Sequence, residues 1–409
     1  IIMTVTDSGG NEVTNISTLN HVIVTGANGA QVSGYDITNK NGLITLFNNR
    51  EITTTSSKEE KWNITIIFVN YDQNQKANAG KSMSAKVIIQ KEVIPHVVSD
   101  VCSNGENLAT CITTLAGKSP ASLTKIYHHD ANLTNGAGDN SYRYAGVSEA
   151  VNNFVCFGSN ASPCPTDNLY RIIGVFGDQV KLIKYDYANS NLLGTNGDYS
   201  TTTFSKSSYS TYKGELTTIN TYSWNYKNNT GINNGNGSNE WSTSLFNKIN
   251  LNTNYLNNIG STWSNLIEDT TWKVSGHTTS SVNPSVMYTA EITNATKTYG
   301  PSNGTSKIGL MYASDYGFAA APSAWTSNMS DYDSPTITSV NWMYMGLPEW
   351  TITPFTSYSN NVFYLGNPGY LNTHSASGEY GGRPVLYLKA SVPYAGGTGA
   401  KDSPIRLKI

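Results

Sequence analysis

The stretch NLYRIIGVFGDQVKLIKYD predicts one antiparallel hairpin near the middle of the chain. Residues 169–176 and 179–185 are rich in the β-branched and aromatic residues that strands favour. Gly177 and Asp178 lie between them as a turn of two residues, and turns this short join strands that run antiparallel. This part of the chain is therefore expected to be β-sheet.

Charge is scarce throughout the sequence. Charged residues make up 13% of the 409 residues, against roughly 25% in an ordinary soluble protein. Asn, Ser, Thr, Gly and Tyr take their place, and these residues favour strands and turns over long helices. We therefore expect a mainly β protein with a few short helices, of the α+β class.

The length corresponds to roughly two or three domains. We expect a β-sandwich at 1–95, a region of short helices, loops and disulfides at 96–166, and a larger domain at 167–409. The net charge of −2 provides no long-range attraction for nucleic acid. No apolar run approaches the roughly 20 residues of a membrane span, and any secretion leader is expected to precede Ile1.

The first region shows five candidate strands separated by Gly, Asn and Ser clusters, a spacing typical of a sandwich. In the sequence WNITIIF, the side chains of Trp62, Ile64, Ile66 and Phe68 alternate with polar neighbours and are expected on one face. Pro95 ends the region. The candidate strands are 1–6, 21–26, 43–47, 61–70 and 84–93.

Helical patterns are short and few. The segment LATCITTLA at 108–116 is the clearest, SEAVNNFVCF at 148–157 is weaker, and apolar spacing at 241–272 predicts one or two amphipathic helices. The Gly-rich run at 128–146 is predicted as a loop. Further strands are predicted at 307–319, 362–366, 383–392 and 404–409.

The four cysteines form two local groups, Cys102 with Cys111 and Cys156 with Cys164. An even count at short spacing favours two small-loop disulfides joining these neighbours, as found in oxidising compartments. The other two pairings and four free buried thiols remain alternatives. No histidine lies at zinc-ligand spacing, which disfavours a zinc site.

Several motifs resemble known families. The segment at 47–90, from FNNREITT to KVIIQ, is similar to β-sandwich modules of Gram-positive surface and matrix-fibre proteins. The motifs GDNSYRYAG, NLYRIIGVFGDQVKLIKYD, IGLMYASDYGFAAAPSAW, NWMYMGLPEWT and GGRPVLYLKASV resemble a surface-protein domain of gut Gram-positive bacteria that has no assigned activity.

At longer range the order of features resembles the formylglycine-generating-enzyme branch of C-type-lectin-like folds. GLPEWT and GGRPV take the places of that family's core segments, which implies that Trp342, Trp350 and Arg383 are core residues. It also implies that Glu349 binds backbone N–H groups of a loop. That family's oxidation needs a late cysteine pair, and no cysteine follows Cys164 here, so this activity is excluded.

Candidate catalytic groups are sparse, and we expect no enzyme. His128 and His129 adjoin Asp130, but neighbours in an extended segment point in opposite directions. Glu349 and Glu379 could serve as a glycosidase pair, although a structural acceptor and an exposed turn residue are the simpler interpretation. Apart from the possible calcium site described next, no cofactor is implied.

One loop could hold calcium, because Asp130, Asn132 and Asp139 lie close together in the sequence and offer oxygen ligands. A second candidate is an aromatic ligand face formed by Tyr142, Tyr144, Trp325 and Tyr344. Exposed, these rings would stack on sugars; buried, they would be core.

The first strand is a candidate for assembly. Ile1, Ile2, Met3 and Val5 make it apolar, and an apolar strand must pair with a sheet edge of its own chain or of a neighbour. Strand addition repeated head to tail builds a filament. We therefore expect an extracellular, cell-surface filament or pilus-like subunit whose partner is itself. The alternative is a monomeric adhesin that binds a host glycan or protein.

Overall fold

A computed structural model describes residues 1–409 except 8, 15, 17–18, 39, 41–43, 45, 47–60, 72, 77–79, 81–83, 86–94, 229–230, 233–234 and 294–303. The chain divides into two compact units, a small unit at 1–91 and a large unit at 92–409. The mainly β fold with short helices that the composition predicts is confirmed.

The small unit is built on one antiparallel sheet of four described strands, in the order β2-β3-β1-β4. Three of them match predicted strands. Strand β3 was not predicted, because its sequence QVSGYD has little apolar alternation. The strands are β1 (Ile2–Thr6), β2 (His21–Thr25), β3 (Gln31–Asp36) and β4 (Asn63–Ile67).

Strand β1 lies between β3 and β4 and supplies much of the small unit's core. Met3 and Val5 are buried together with residues such as Tyr35, and Ile2, which alternates with them along the strand, is buried outside this cluster. Gly34 of β3 permits the close approach of β1, because a Cβ atom there would meet the Ile2 side chain at 2.7 Å.

The predicted alternation at 61–70 holds only in part. Trp62 and Ile66 pack against the core of the small unit, but Phe68 lies beyond the end of β4 and is exposed. Most residues of the predicted strands at 43–47 and 84–93 lie outside the described part of the chain.

The large unit contains many short strands joined by irregular segments. They are β5 (Ile126–His128), β6 (Tyr142–Tyr144), β7 (Phe154–Cys156), β8 (Leu169–Phe176), β9 (Gln179–Lys184), β10 (Tyr199–Ser205), β11 (Thr218–Tyr222), β12 (Lys227–Asn228), β13 (Gly231–Ile232), β14 (Thr270–Trp272), β15 (Gly304–Ser306), β16 (Ile308–Gly309), β17 (Glu349–Pro354), β18 (Asn361–Leu365), β19 (Leu371–Ser375), β20 (Val385–Tyr387), β21 (Tyr394–Gly396) and β22 (Arg406–Leu407).

Its helices are short. The α-helices are α1 (Leu108–Lys118), α2 (Ala121–Thr124), α3 (Ser190–Leu193), α4 (Leu256–Ile259), α5 (Ser261–Ser264), α6 (Pro284–Tyr288), α7 (Ala313–Ala319) and α8 (Pro335–Thr338), with π-helical turns at Phe246–Tyr255 and Thr289–Thr293. Single 3-10 turns occupy Val98–Asp100, Ser148–Ala150, Thr166–Asn168, Lys206–Ser208, Trp241–Thr243, Pro322–Ala324 and Met329–Asp331. Among the described helices, none combines the length and apolarity needed to cross a membrane.

A seven-stranded sheet forms the centre of the large unit, in the order β16-β20-β9-β8-β6-β5 with β7 also paired to β8. The predicted hairpin is confirmed, since β8 and β9 are antiparallel and Phe176 pairs with Gln179 across the turn. Residues of both strands are buried on both faces, so this hairpin lies in the core.

The helix predicted at 108–116 is confirmed as α1. The side chain of Asn107 caps its first turn by accepting a hydrogen bond from the backbone N–H of Thr110 at 3.2 Å. Leu108, Ile112 and Leu115 follow helical spacing and are all buried, which explains why this helix could be predicted from the sequence.

Three predicted elements are wrong in whole or in part. The predicted loop at 128–146 contains β6, because Tyr142–Tyr144 pair with β5 and β8. At 148–157 the chain forms a single 3-10 turn and then β7, because Phe154 to Cys156 pair with β8. At 307–319 only Ile308–Gly309 is a strand, and α7 follows. The carboxylate of Asp315 accepts the backbone N–H of Tyr312 at 2.9 Å and so starts this helix.

Candidate functional site

Buried charges converge between the central sheet and α7. Lys181 of β9 places its Nζ atom 2.5 Å from the Oδ2 atom of Asp315, in the first turn of α7. The guanidinium of Arg143, on β6, lies 3.6 Å from Oδ1 of the same carboxylate. All three side chains are buried, so Asp315 joins two strands of the sheet to α7. We call this group, with its surrounding rings, the charged pocket.

Aromatic rings enclose the ammonium group of Lys181. The ring centroids of Phe176, Tyr312 and Tyr387 lie 5.3, 4.6 and 5.3 Å from Nζ, and Trp272 lies at 5.9 Å. A cavity of about 80 Å³ opens beside them. Burial lowers the pKa of Lys181, and attraction to Asp315 offsets that shift only partly.

A second buried acid, Glu291, adjoins the pair. The carboxyl group of Glu291 accepts the hydroxyl of Thr353 at 2.5 Å and the backbone N–H of Ser314 at 3.3 Å. Ser314 directly precedes Asp315 in the chain. Burial raises the pKa of Glu291 to about 7, so this group is able to exchange a proton near neutral pH.

Arg143 has its own set of partners. Its NH2 atom lies 2.7 Å from the carboxylate of Asp139, and its Nε atom donates to the hydroxyl of Ser141 at 2.8 Å. The rings of Phe176 and Phe318 lie under the guanidinium at 4.7 and 5.0 Å. These contacts fix the guanidinium beside Asp315.

The segments GLPEWT and GGRPV meet in the core through one ion pair. Both oxygens of Glu349 accept from Arg383, from Nε and from NH2, each at 2.7 Å. Glu349 therefore binds a guanidinium, which corrects the expectation that it binds backbone N–H groups of a loop. The indole N–H groups of Trp342 and Trp350 donate to backbone carbonyls at 2.7 Å, and both rings are buried.

The glycosidase interpretation finds no geometric support in this arrangement. Glu349 is occupied by Arg383 inside the core, whereas Glu379 is exposed and accepts a hydrogen bond from the hydroxyl of Thr202.

The four residues considered as a ligand face do not form a ledge. Tyr144, Trp325 and Tyr344 are 2%, 1% and 5% exposed. Tyr142 is half-buried and stacks on His128 with ring centroids 4.2 Å apart. The structure places these rings in or against the core, the second of the two interpretations given above.

The residues considered for calcium are used within the protein. The carboxylate of Asp130 accepts the backbone N–H groups of Asn132 and Leu133 at 2.9 and 3.1 Å, and Asp139 pairs with Arg143. Among the described residues, three His, Cys, Asp or Glu side chains converge closely enough to hold a metal ion only at Cys102, Glu106 and Cys111. Two of these three are disulfide-bonded to each other.

The two histidines of the same loop differ. His129 is buried, its Nδ1 atom accepts the backbone N–H of Ala137 at 3.0 Å, and burial lowers its pKa to about 2. It is therefore neutral at ordinary pH. His128 lies at the surface, 3.7 Å from Asp130.

Both local disulfides are present, Cys102–Cys111 and Cys156–Cys164, with Cα atoms 5.3 and 5.9 Å apart. The first ties α1 to the preceding loop. The second ties β7 to the segment that enters β8.

Sequence reasoning missed the charged pocket. Its residues are far apart in the chain, and Lys181 was read only as a member of the hairpin. The usable signal was a lysine between two apolar residues, Val180 and Leu182, of the strand QVKLIK. Nothing in the sequence indicated that Asp315 or Glu291 would lie next to it.

No family model, curated protein or solved structure matches this chain. The family resemblances stated above therefore stay predictions, and function is argued from the geometry alone.

Proposed function

We propose that this protein is an extracellular structural protein of the cell surface whose copies join through the sheet edges of the small unit. One observation carries the proposal: the core face of this sheet continues to both edges and ends there in exposed isoleucines. Ile23 on β2 is 65% exposed and Ile64 on β4 is 37% exposed.

The register shows that these side chains share one face. Val5 pairs with Ile64, and Met3 pairs with both Ile66 and Tyr35. Tyr35 pairs in turn with His21, two residues before Ile23. Directly paired residues point to the same side of a sheet, as do residues two apart, so Ile23 and Ile64 extend the face that carries the core.

Within the part of the small unit that the structure describes, the edge strands show little of the usual protection against pairing. Among the described strands, β2 pairs only with β3 and β4 only with β1. Neither HVIVT nor NITII contains Lys, Asp, Glu or Pro, the residues that commonly block an edge. The predicted assembly residues Ile2, Met3 and Val5 are instead inside the sheet, so the outer strands are the surfaces through which assembly is proposed.

Strand direction permits repeated addition. Every neighbouring pair in the order β2-β3-β1-β4 is antiparallel, so β2 and β4 run in opposite directions. A second copy placed beside the first in the same orientation therefore sets its β4 antiparallel to β2. Such a contact is heterologous and repeats without closing, which yields a filament.

One further feature supports an extracellular setting, because the two disulfides fit an oxidising compartment. The proposal assigns no turnover of a substrate to the large unit, where buried charges such as Glu349 and Arg383 are paired with each other.

An engineered cross-link tests the proposal. In one copy two strands lie between Ile23 and Ile64, or roughly 14 Å along the sheet, which is too far for a disulfide. The double variant Ile23→Cys/Ile64→Cys is therefore expected to give a ladder of covalent multimers on a non-reducing gel. Each single variant is the matched control and is expected to give dimers at most. A double variant that stays monomeric or stops at dimers would contradict assembly through both edges.

A further inference from the structure

Lys181 and Asp315 lie 134 positions apart in the sequence. Their reactive groups are nevertheless held 2.5 Å apart, Nζ to Oδ2, with both side chains buried. We propose that they condense to an intramolecular isopeptide bond between Nζ of Lys181 and Cγ of Asp315. The bond concerns the large unit alone and does not rest on the proposed assembly of the small unit.

The surroundings of Lys181 favour the neutral amine that this chemistry needs. An amine attacks a carboxyl carbon only as the neutral amine, and a carboxyl group loses its oxygen more readily when it is protonated. Four aromatic rings surround Nζ. Burial among them lowers the pKa of Lys181 and so disfavours the ammonium form.

We assign the proton transfers to Glu291. It is buried, it is held by Thr353 and by the N–H of Ser314 next to Asp315, and its pKa is raised to about 7. In the protonated state it donates to the departing oxygen, and as a carboxylate it accepts the proton that Nζ loses. Lys181 and Asp315 each interact electrostatically with this group.

Arg143 stabilises the intermediate. Its NH1 atom lies 3.6 Å from Oδ1 of Asp315. Negative charge develops on this oxygen when Nζ adds to Cγ, and a fixed, buried guanidinium lowers the energy of that charge.

The atoms and protons balance without a further reactant. The N–C bond forms, one carboxyl C–O bond breaks, and the oxygen leaves as water with one proton from the carboxyl group and one from the amine. The cavity of about 80 Å³ beside the pair gives this water room. The product removes two opposite charges from a site where a buried ion pair is costly.

The condensed pair would join β9 covalently to α7. A cross-link closing so long a loop restricts the unfolded chain strongly, as a disulfide does. It would hold the central sheet and α7 together even with both disulfides reduced.

Intact-mass spectrometry of the purified full chain tests the inference without any variant. The expected mass is that of the sequence, less four hydrogens for the two disulfides and less one water. Tandem spectra are expected to show a branched peptide joining Lys181 to Asp315. A mass that lacks only the four hydrogens would overturn the inference and leave a plain ion pair.

Variants locate the bond and its proton carrier. Lys181→Met and Asp315→Ala are expected to restore the missing water. Lys184→Met is the matched control, because Lys184 is a second buried lysine of β9, and it is expected to keep the deficit. Glu291→Gln is expected to fold with both disulfides intact but to show the uncondensed mass. A full deficit in Lys181→Met would assign the lost water to another site and refute the proposed bond.

Discussion

The carboxylate of Glu349 and the guanidinium of Arg383 face each other in a bidentate ion pair, with both N–O distances at 2.7 Å, inside the core of the large unit. Arg383 also donates to the backbone carbonyl of Met343 at 2.8 Å. Arg383 lies just before β20, so this pair connects β17 to the start of β20. Through Met343 it also connects both to the turn that precedes β17.

Removing one partner of this pair is expected to be severe. Arg383→Met leaves Glu349 buried without its counter-charge, and such changes cost about 3–5 kcal/mol. Denaturant unfolding followed by Trp fluorescence measures the effect, since all Trp residues except Trp62 belong to the large unit.

The double variant Glu349→Leu/Arg383→Met is the control for charge burial. It removes both charges together and is expected to recover most of the lost free energy of unfolding. If the single and the double variant lost the same free energy of unfolding, the unpaired charge of Glu349 would not be the cause of the destabilisation.

Gly346 is expected to resist substitution more than Gly177. Gly346 has φ +91°, and a Cβ atom there would collide with the backbone of Thr211. Gly346→Ala should therefore cost about 1–3 kcal/mol more in free energy of unfolding than Gly177→Ala, which meets a left-handed φ of +63° but no neighbour within 4 Å. Similar losses of unfolding free energy in both variants would show that the close approach of Gly346 to the Thr211 backbone does not matter for stability.

Glu291 should make stability depend on pH. Its pKa is about 7 in the folded chain against an ordinary 4.5, so the folded state binds the extra proton. The resulting stabilisation is complete below about pH 4.5 and is lost as pH rises through about 7, by up to about 3 kcal/mol.

His129 contributes with the opposite sign, because its pKa is lowered to about 2 and its stabilisation is lost as pH falls below about 6.5. The comparison of wild type with Glu291→Gln cancels this term, and the covalent bond that we propose for wild type alone adds an offset that does not depend on pH. Unfolding free energies at several pH values should therefore differ increasingly in favour of wild type as pH decreases from about 8 to about 5. A constant difference would mean that Glu291 does not titrate in this range.

The disulfides should leave no thiol to detect. A thiol assay on denatured, unreduced protein is expected to find none. The double variant Cys156→Ala/Cys164→Ala should lose about 2–3 kcal/mol of unfolding free energy, because a disulfide that closes a loop this short stabilises a protein by about that amount. Four reactive thiols in that assay would contradict the oxidised state.

The local features of the fold were predictable, and the long-range ones were not. The hairpin at 169–185 followed from its turn, and α1 followed from its apolar spacing. The strand at 154–156 and α7 did not, since pairing with β8 and capping by Asp315 decide them. The charged pocket depends on contacts across more than a hundred residues, which a period of two or 3.6 does not encode.

Electron microscopy of the purified full chain tests the central claim most directly. Wild-type protein is expected to form unbranched filaments, and Ile23→Lys is expected to give dispersed particles, because a charge at the edge of β2 blocks strand pairing. Tyr358→Lys, which changes an exposed aromatic residue of the large unit, should leave the filaments intact. Monomeric wild-type particles at every concentration would contradict assembly through the sheet edges.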